Sequence, residues 1–231
     1  MWMTDEQLAA WDGGLIVSAQ AYPGEPMRDP RTMSQVAAAA AAGGAVAVRV
    51  QGLADIQHTR QAVQVPVIGL FKDGSDGVFI TPTVEHALAV AQAGAHVVAL
   101  DATSRPRPDG RSLAETVREL RSRSSARLMA DCSSLEDVST AAELGFDLIG
   151  TTLAGYTGQR PKTEGPDLEL VAEARALIDQ AEQPMLLVCE GRVHTPEQAR
   201  QARQAGAHMV VVGTAITHPT TITGWFRQAL G

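Results

Sequence analysis

One segment of about ten residues recurs along the chain. Gln92-Ala-Gly-Ala-His-Val-Val-Ala-Leu-Asp101 and Gln204-Ala-Gly-Ala-His-Met-Val-Val-Val-Gly213 are near copies, and Glu143-Leu-Gly-Phe-Asp-Leu-Ile-Gly150 and Ala42-Gly-Gly-Ala-Val-Ala-Val-Arg49 are looser ones. In each, a helix-forming stretch stops at Gly, which takes the left-handed C-cap conformation without steric cost. A short run rich in β-branched residues follows almost at once. That is the αβ half of a βαβ unit, and its repetition commits the chain to alternating helices and strands.

Strand-like apolar runs fall at 14–19, 46–49, 67–71, 97–101, 127–131, 147–151, 185–190 and 209–213, which makes eight. Between them lie Ala-, Leu-, Glu- and Arg-rich stretches that suit helix, and a last helix is expected over 220–230. Thr81-Pro82-Thr83, Ser133-Ser134 with Asp137, and Thr195-Pro196-Glu197 carry helix-start signals. Eight alternating pairs predict an α/β fold, a (β/α)8 TIM barrel forming one domain over 1–231. A doubly wound open sheet is the alternative, but no Gly-x-Gly-x-x-Gly fingerprint follows the first strand. Aromatic residues are only 4% of the chain, so the core must rest on Val, Ile, Leu and Ala, as buried parallel strands require. The segment 2–11 reads as a short lid or plug helix.

The formal charge of −7 argues against nucleic-acid binding, and a phosphorylated ligand would need local attraction against it. The N-terminus has neither the basic region nor the apolar stretch of a signal peptide. No apolar run spans a membrane, so the expected location is the cytoplasm. Cys132 and Cys189 each sit near the end of an apolar run and read as reduced core residues. No Cys/His cluster has metal-ligand spacing.

In a barrel the C-terminal strand ends converge on one face, where the long loops also gather. Those ends carry Gln20, Arg49, Lys72, Asp101, Asp131, Thr152, Glu190 with Gly191 and Arg192, and Gly213-Thr214. Any one of them alone reads as a solvated loop residue or a cap. Asp101 suits a structural role, bonding loop amides, at least as well as a catalytic one. The glycine-bearing loops after strands 7 and 8, leading to a short helix near Pro219, match the usual phosphate site of barrels. His58 and His86 read as surface residues of helices, and His96 and His208 enter strands from the far end. His194 reads as a cap or loop residue, while His218 lies beside the phosphate loops.

With these residues in place, the chain resembles the bacterial N-acetylmannosamine-6-phosphate 2-epimerases. Nine segments carry the likeness in order between about 13 and 219. Among them are 13–20, Pro66-Val-Ile-Gly-Leu-Phe-Lys72, Leu128-Met-Ala-Asp131, Gly150-Thr-Thr-Leu-Ala-Gly-Tyr-Thr157, Glu190-Gly-Arg-Val-His-Thr-Pro196 and Gly213-Thr-Ala-Ile-Thr217. The resemblance implies a barrel enzyme of amino-sugar and sialic acid catabolism. It would act on a small phosphosugar without a cofactor or metal, and commonly as a homodimer. It implies Lys72 as catalytic acid/base and Glu190 at the reacting end of the sugar. Gln20, Arg49, Asp131 and Thr152 would contact substrate, and Gly191, Arg192, Gly213, Thr214 and His218 would face the phosphate. The chain departs from the family pattern at Ala19 (usually Cys), Gln51 (usually Asn) and His218 (usually Arg). The last change leaves the phosphate to Arg192 and His218.

The two sugars differ at C2, whose proton is acidic only when C1 is an open-chain carbonyl. The reading therefore gives Glu190 the ring-opening proton, Lys72 the C2 proton, and Arg49 the charge on the enediolate oxygen. Asp131 would orient substrate or lysine. Rival readings are a different phosphosugar epimerase or isomerase, and a barrel that only senses a sugar phosphate.

Overall fold

A computed structural model describes residues 3–231. Eight parallel strands close into a barrel in chain order, the eighth pairing with the first. They are β1 Leu15–Ser18, β2 Ala47–Gln51, β3 Val67–Leu70, β4 Val97–Asp101, β5 Arg127–Asp131, β6 Leu148–Gly150, β7 Leu186–Glu190 and β8 Met209–Val212. Closure is set by Leu15 opposite Val210, Ile16 opposite Val211 and Val17 opposite Val212. The helices between strands are α2 Pro30–Ala42, α3 Leu53–Ala62, α4 Val84–Gln92, α5 Leu113–Arg123, α6 Leu135–Glu143, α7 Leu168–Ile178 and α8 Pro196–Gln204. A short α1, Asp5–Ala9, precedes β1, and α9 Thr214–Thr217 and α10 Pro219–Ala229 follow β8. The expected helix starts hold: Thr83, Ser134 and Thr195 each accept a first-turn amide.

Most strand ends fall within one residue of expectation, and two of the differences have clear reasons. β2 runs on to Gln51 because Gln51 still pairs with Leu70. β3 stops at Leu70 because the chain then doubles back: Lys72 pairs antiparallel with Ile80, and Asp73 donates to the Phe79 carbonyl at 3.0 Å. The short helix expected near Pro219 begins at Thr214 instead, and Pro219 opens the long α10.

Alternation along the strands sorts side chains into two cores. Ile16, Ala47, Ile68, Val97, Met129 and Val188 fill the barrel interior. Val48, Val50, Val98, Leu128, Ile149 and Leu187 face the helices. Gly69 lets α3 and α4 sit tight on β3, since a Cβ there would lie 2.8 Å from Ile56 and 2.9 Å from Val90. Met3, Leu8 and Trp11 join the interior core, and Arg127 at the start of β5 donates to the Met3 carbonyl at 3.1 Å. The N-terminal segment is therefore a plug at the strands' starting end; Trp2, part of the expected segment, lies outside the described residues.

The repeat that announced the fold also caps it. The residue just before β4, β8 and β6 accepts an amide near the start of the neighbouring strand: His96 Nδ1 from Val67, His208 Nδ1 from Leu187, and Asp147 from Leu128. Each also donates its own amide to the same neighbour's carbonyl. Burial and Arg60 hold His96 near a pKa of about 4, the neutral form that an accepting nitrogen needs. Cys132 and Cys189 are buried and free. Among the described residues no helix is long and apolar enough to cross a membrane.

Candidate active site

The ends of the strands and the first two residues after them bring most of the polar residues together at the strands' C-terminal end. They surround a cavity of about 280 Å³ lined by Gln20, Lys72, Thr152, Glu190, Gly191, Arg192, Gly213, Thr214 and His218, among others. Nine of the eleven residues expected at the site thus share one cavity. Arg49 and Asp131 do not line it; with side chains 1% and 0% exposed, they lie beneath it.

That buried pair forms the floor. Arg49 grips Asp131 through two parallel bonds of 2.9 and 2.7 Å and donates a third, of 2.6 Å, to Glu190 Oε2. Thr152 donates to Asp131 at 2.7 Å and stands 3.2 Å from Glu190 Oε2. Thr151 locks the Glu190 backbone, accepting its amide and donating to its carbonyl. Burial works against the Arg49 charge, but Asp131 and then Glu190 outweigh it and hold its pKa above the ordinary arginine value. Burial also pushes the Glu190 carboxyl above its ordinary value, against the pull of Arg49. One guanidinium thus faces two carboxyl groups in a largely buried site. Balance requires one more positive charge, as a proton either on Glu190 or on the amine next to it.

That amine is Lys72. Its pKa is lowered to about 8, chiefly by burial and then by repulsion from Arg49, while Glu190 and Asp131 oppose the fall. The backbone carrying the lysine is held firmly. Thr81, at a φ of 47° rarely adopted by a residue with a side chain, turns the chain back beside β3. Its hydroxyl donates to the Ala99 carbonyl at 2.6 Å and accepts the Phe71 amide. Tyr22 covers Lys72 from the mouth, with its ring centroid 5.9 Å from Nζ. Asp101 is fully buried, taking Thr103 at 2.9 and 2.7 Å and Arg105 at 2.6 Å, which is the structural role.

At the opposite end, Gly213 caps α9, whose first amides have no partner inside the helix. Gly191, at φ 111°, and Arg192, at φ 56°, make the turn after β7. Arg192 is largely committed to the protein, donating to Ala154 O at 2.9 Å, Gly165 O at 3.1 Å and Thr163 Oγ1 at 2.9 Å. His218 is 5% exposed, and its Nδ1 has no hydrogen-bond partner and lies 3.6 Å from Glu25. Gln20 donates to the Ser18 hydroxyl at 2.9 Å.

Several cavity residues were not anticipated. Tyr22, Tyr156 and Phe79 line it, and the two tyrosines are the chain's only ones. Finding both in loops after strands of an aromatic-poor chain was a usable signal. His194, expected as a cap or loop residue, lines the cavity and stacks on Trp225 at 4.7 Å. His86, expected at the surface, is half-buried behind the Lys72 loop, 5.0 Å from the Phe71 ring and 3.4 Å from Asp73. Among the described residues no His, Cys, Asp and Glu cluster could hold a metal ion.

Fold and cavity define a class: a (β/α)8 barrel with a lysine–glutamate pair at one end of its cavity and an anion-ready helix start at the other. The family model described as "Putative N-acetylmannosamine-6-phosphate epimerase" matches residues 33–231. A Cutibacterium acnes protein named "Putative N-acetylmannosamine-6-phosphate 2-epimerase" is 58% identical, with 98% of each chain covered. A Corynebacterium glutamicum protein of the same name is 48% identical over 96% of this chain and 95% of its own. The solved N-acetylmannosamine-6-phosphate 2-epimerase of Clostridium perfringens superposes with a TM-score of 0.90 at 35% identity, covering 99% of both chains. The chain belongs to this epimerase family.

Proposed function

We propose that the chain interconverts N-acetylmannosamine 6-phosphate and N-acetylglucosamine 6-phosphate by removing and returning the proton on C2. The observation that carries this is the half-buried Lys72 near Glu190, the two sharing one proton, at a cavity with an anion-ready far end. Glu190 moves the proton that opens the ring, and neutral Lys72 takes the C2 proton of the open-chain aldehyde. Arg49 sits too deep to touch the sugar in this arrangement. Its part is to hold Glu190 and keep positive potential under the developing enediolate, with Asp131 fixing Arg49 rather than substrate. Gln20 and Thr152 line the sugar end; Gly191, Gly213, Thr214, Arg192 and His218 take the phosphate.

The test is proton NMR of N-acetylmannosamine 6-phosphate with the protein in D2O. Appearance of N-acetylglucosamine 6-phosphate carrying deuterium at C2 supports the reading. No conversion and no loss of the C2 signal, with folded protein, rejects it in favour of another phosphosugar or of a sensor.

His218→Arg should lower KM about 3- to 10-fold, because a guanidinium adds forked donors to the phosphate end. Unchanged or weaker binding, read from initial rates, takes His218 out of the phosphate site. We also infer a homodimer. The faces of α9 and α10 leave Ile216, Phe226 and Leu230 46%, 70% and 88% exposed beside Trp225, an apolar patch that a second copy would cover. Sedimentation should give twice the 24.4 kDa chain mass, and Phe226→Asp should shift it toward monomer. The free, buried cysteines suit a reducing compartment, and we place the enzyme in the cytoplasm.

A further inference from the structure

Lysine is scarce in this chain, which has seventeen arginines but only Lys72 and Lys162. Lys72 is the centre of the site. Lys162 stands at its rim, on the returning limb of the loop between β6 and α7. Its Nζ lies 5.1 Å from the ring centroid of Tyr156, a cavity-lining residue, and Arg192 approaches the same ring, also at 5.1 Å.

The backbone that carries Lys162 is fixed. Gly155, at φ 79°, presses against it: a Cβ there would fall 2.8 Å from Lys162 Cα. Arg192 staples the two limbs together, bonding Ala154 on the outgoing one and Thr163 and Gly165 on the returning one. The other cations nearby already have partners. Arg49 is held by Asp131 and Glu190, Arg28 by Asp55, and Arg160 by Asp167, Glu169 and Glu173. Lys162 engages an aromatic ring and, among the described residues, no carboxylate within ion-pair distance.

This matters because the chain carries −7 and a phosphate monoester arrives close to doubly negative. The overall field repels the ligand, so a solvated, unpaired cation at the rim acts with disproportionate effect on encounter. We propose that Lys162 recruits and positions the substrate's phosphate, drawing it past the Tyr156 ring toward the Gly191–Thr214 end of the cavity. The proposal rests on the sugar-phosphate reading above and assigns this residue a role in specificity for phosphorylated over neutral sugars.

The test is steady-state kinetics of the full chain with N-acetylmannosamine 6-phosphate at low and at high salt. Lys162→Glu should raise KM about 5- to 20-fold at low salt with kcat unchanged. At about 0.5 M salt the gap should narrow to about 2-fold as screening shortens the field. Lys162→Arg should behave as wild type. An unchanged KM for Lys162→Glu at low salt overturns the proposal, as does a defect that is confined to kcat or persists at high salt. If the wild-type chain does not turn the substrate over, the functional reading fails by itself. The affinity for inorganic phosphate, read from its effect on the thermal midpoint, then decides: weaker affinity in Lys162→Glu than in wild type supports the role, and equal affinity overturns it.

Discussion

Lys72→Ala should abolish turnover, lowering kcat at least about 10³-fold, while the protein stays folded. Removing a positioned general base costs up to about 10⁴-fold, and this lysine has no second amine nearby to replace it, since Lys162 is held at the rim. Folding should survive because Lys72 makes no ion pair with the floor; the structure ties the floor carboxylates to Arg49 instead. The pH profile of wild type gives an independent reading. With the pKa lowered to about 8, the neutral base is roughly one part in ten at pH 7 and grows about tenfold per unit from pH 6 to 7. The value of kcat/KM should therefore rise with pH and level off above about 8. Initial rates and circular dichroism on the same samples check both statements. Substantial residual activity in Lys72→Ala, or a rate independent of pH between 6 and 9, would remove Lys72 as the base.

Arg49→Met should have the largest effect on stability, about 3–5 kcal/mol, the usual cost of removing one partner from a buried charge cluster. It leaves Asp131, at 0% exposure, and Glu190 without a counter-charge. At this chain length that corresponds to a fall in thermal midpoint of about 6–20 °C. The sign of the pH dependence follows from the direction of the carboxyl shift. Glu190 already titrates above its ordinary value because of burial, and losing Arg49 raises it further. A carboxyl whose folded pKa is raised favours the folded state at low pH and loses that contribution as pH rises. The deficit of the variant should thus be larger at pH 8 than at pH 5, as measured by urea denaturation. A loss below about 1 kcal/mol, equal at both pH values, would mean that the floor is not held by Arg49.

Much of this was legible beforehand because the fold is written in local signals. The glycine that ends a helix and the β-branched run after it act over a few residues. Their repetition and the eightfold count predicted the barrel, and strand ends then named the residues of the cavity mouth. What was harder to read came from long-range contacts. Arg49 and Asp131 occupy strand-end positions just as Gln20 and Glu190 do, yet they lie one layer deeper. Depth in a barrel depends on how neighbouring strands are staggered, not on residue type. The same holds for Arg192: its position after β7 places it beside the phosphate loops, but its three bonds to both limbs of the loop after β6 needed the folded chain to be seen. His96 and His208 were rightly set at the far end, but their capping of neighbouring strands needed the strand pairing to be seen.

The sequence alone therefore determined the order of elements, the number of strands, which residues stand at the strand ends, and the family, since each follows from local propensity, the repeat or motif order. Only the tertiary structure decided which inward groups touch one another. It paired Arg49 with two carboxylates, lowered the Lys72 pKa by removing water around it, and set the N-terminal helix as a plug. It also brought Tyr22, from the loop after β1, to the same mouth as Tyr156 and Lys162, from the loop after β6. Burial and charge proximity are properties of the closed barrel, and no stretch of chain carries them by itself.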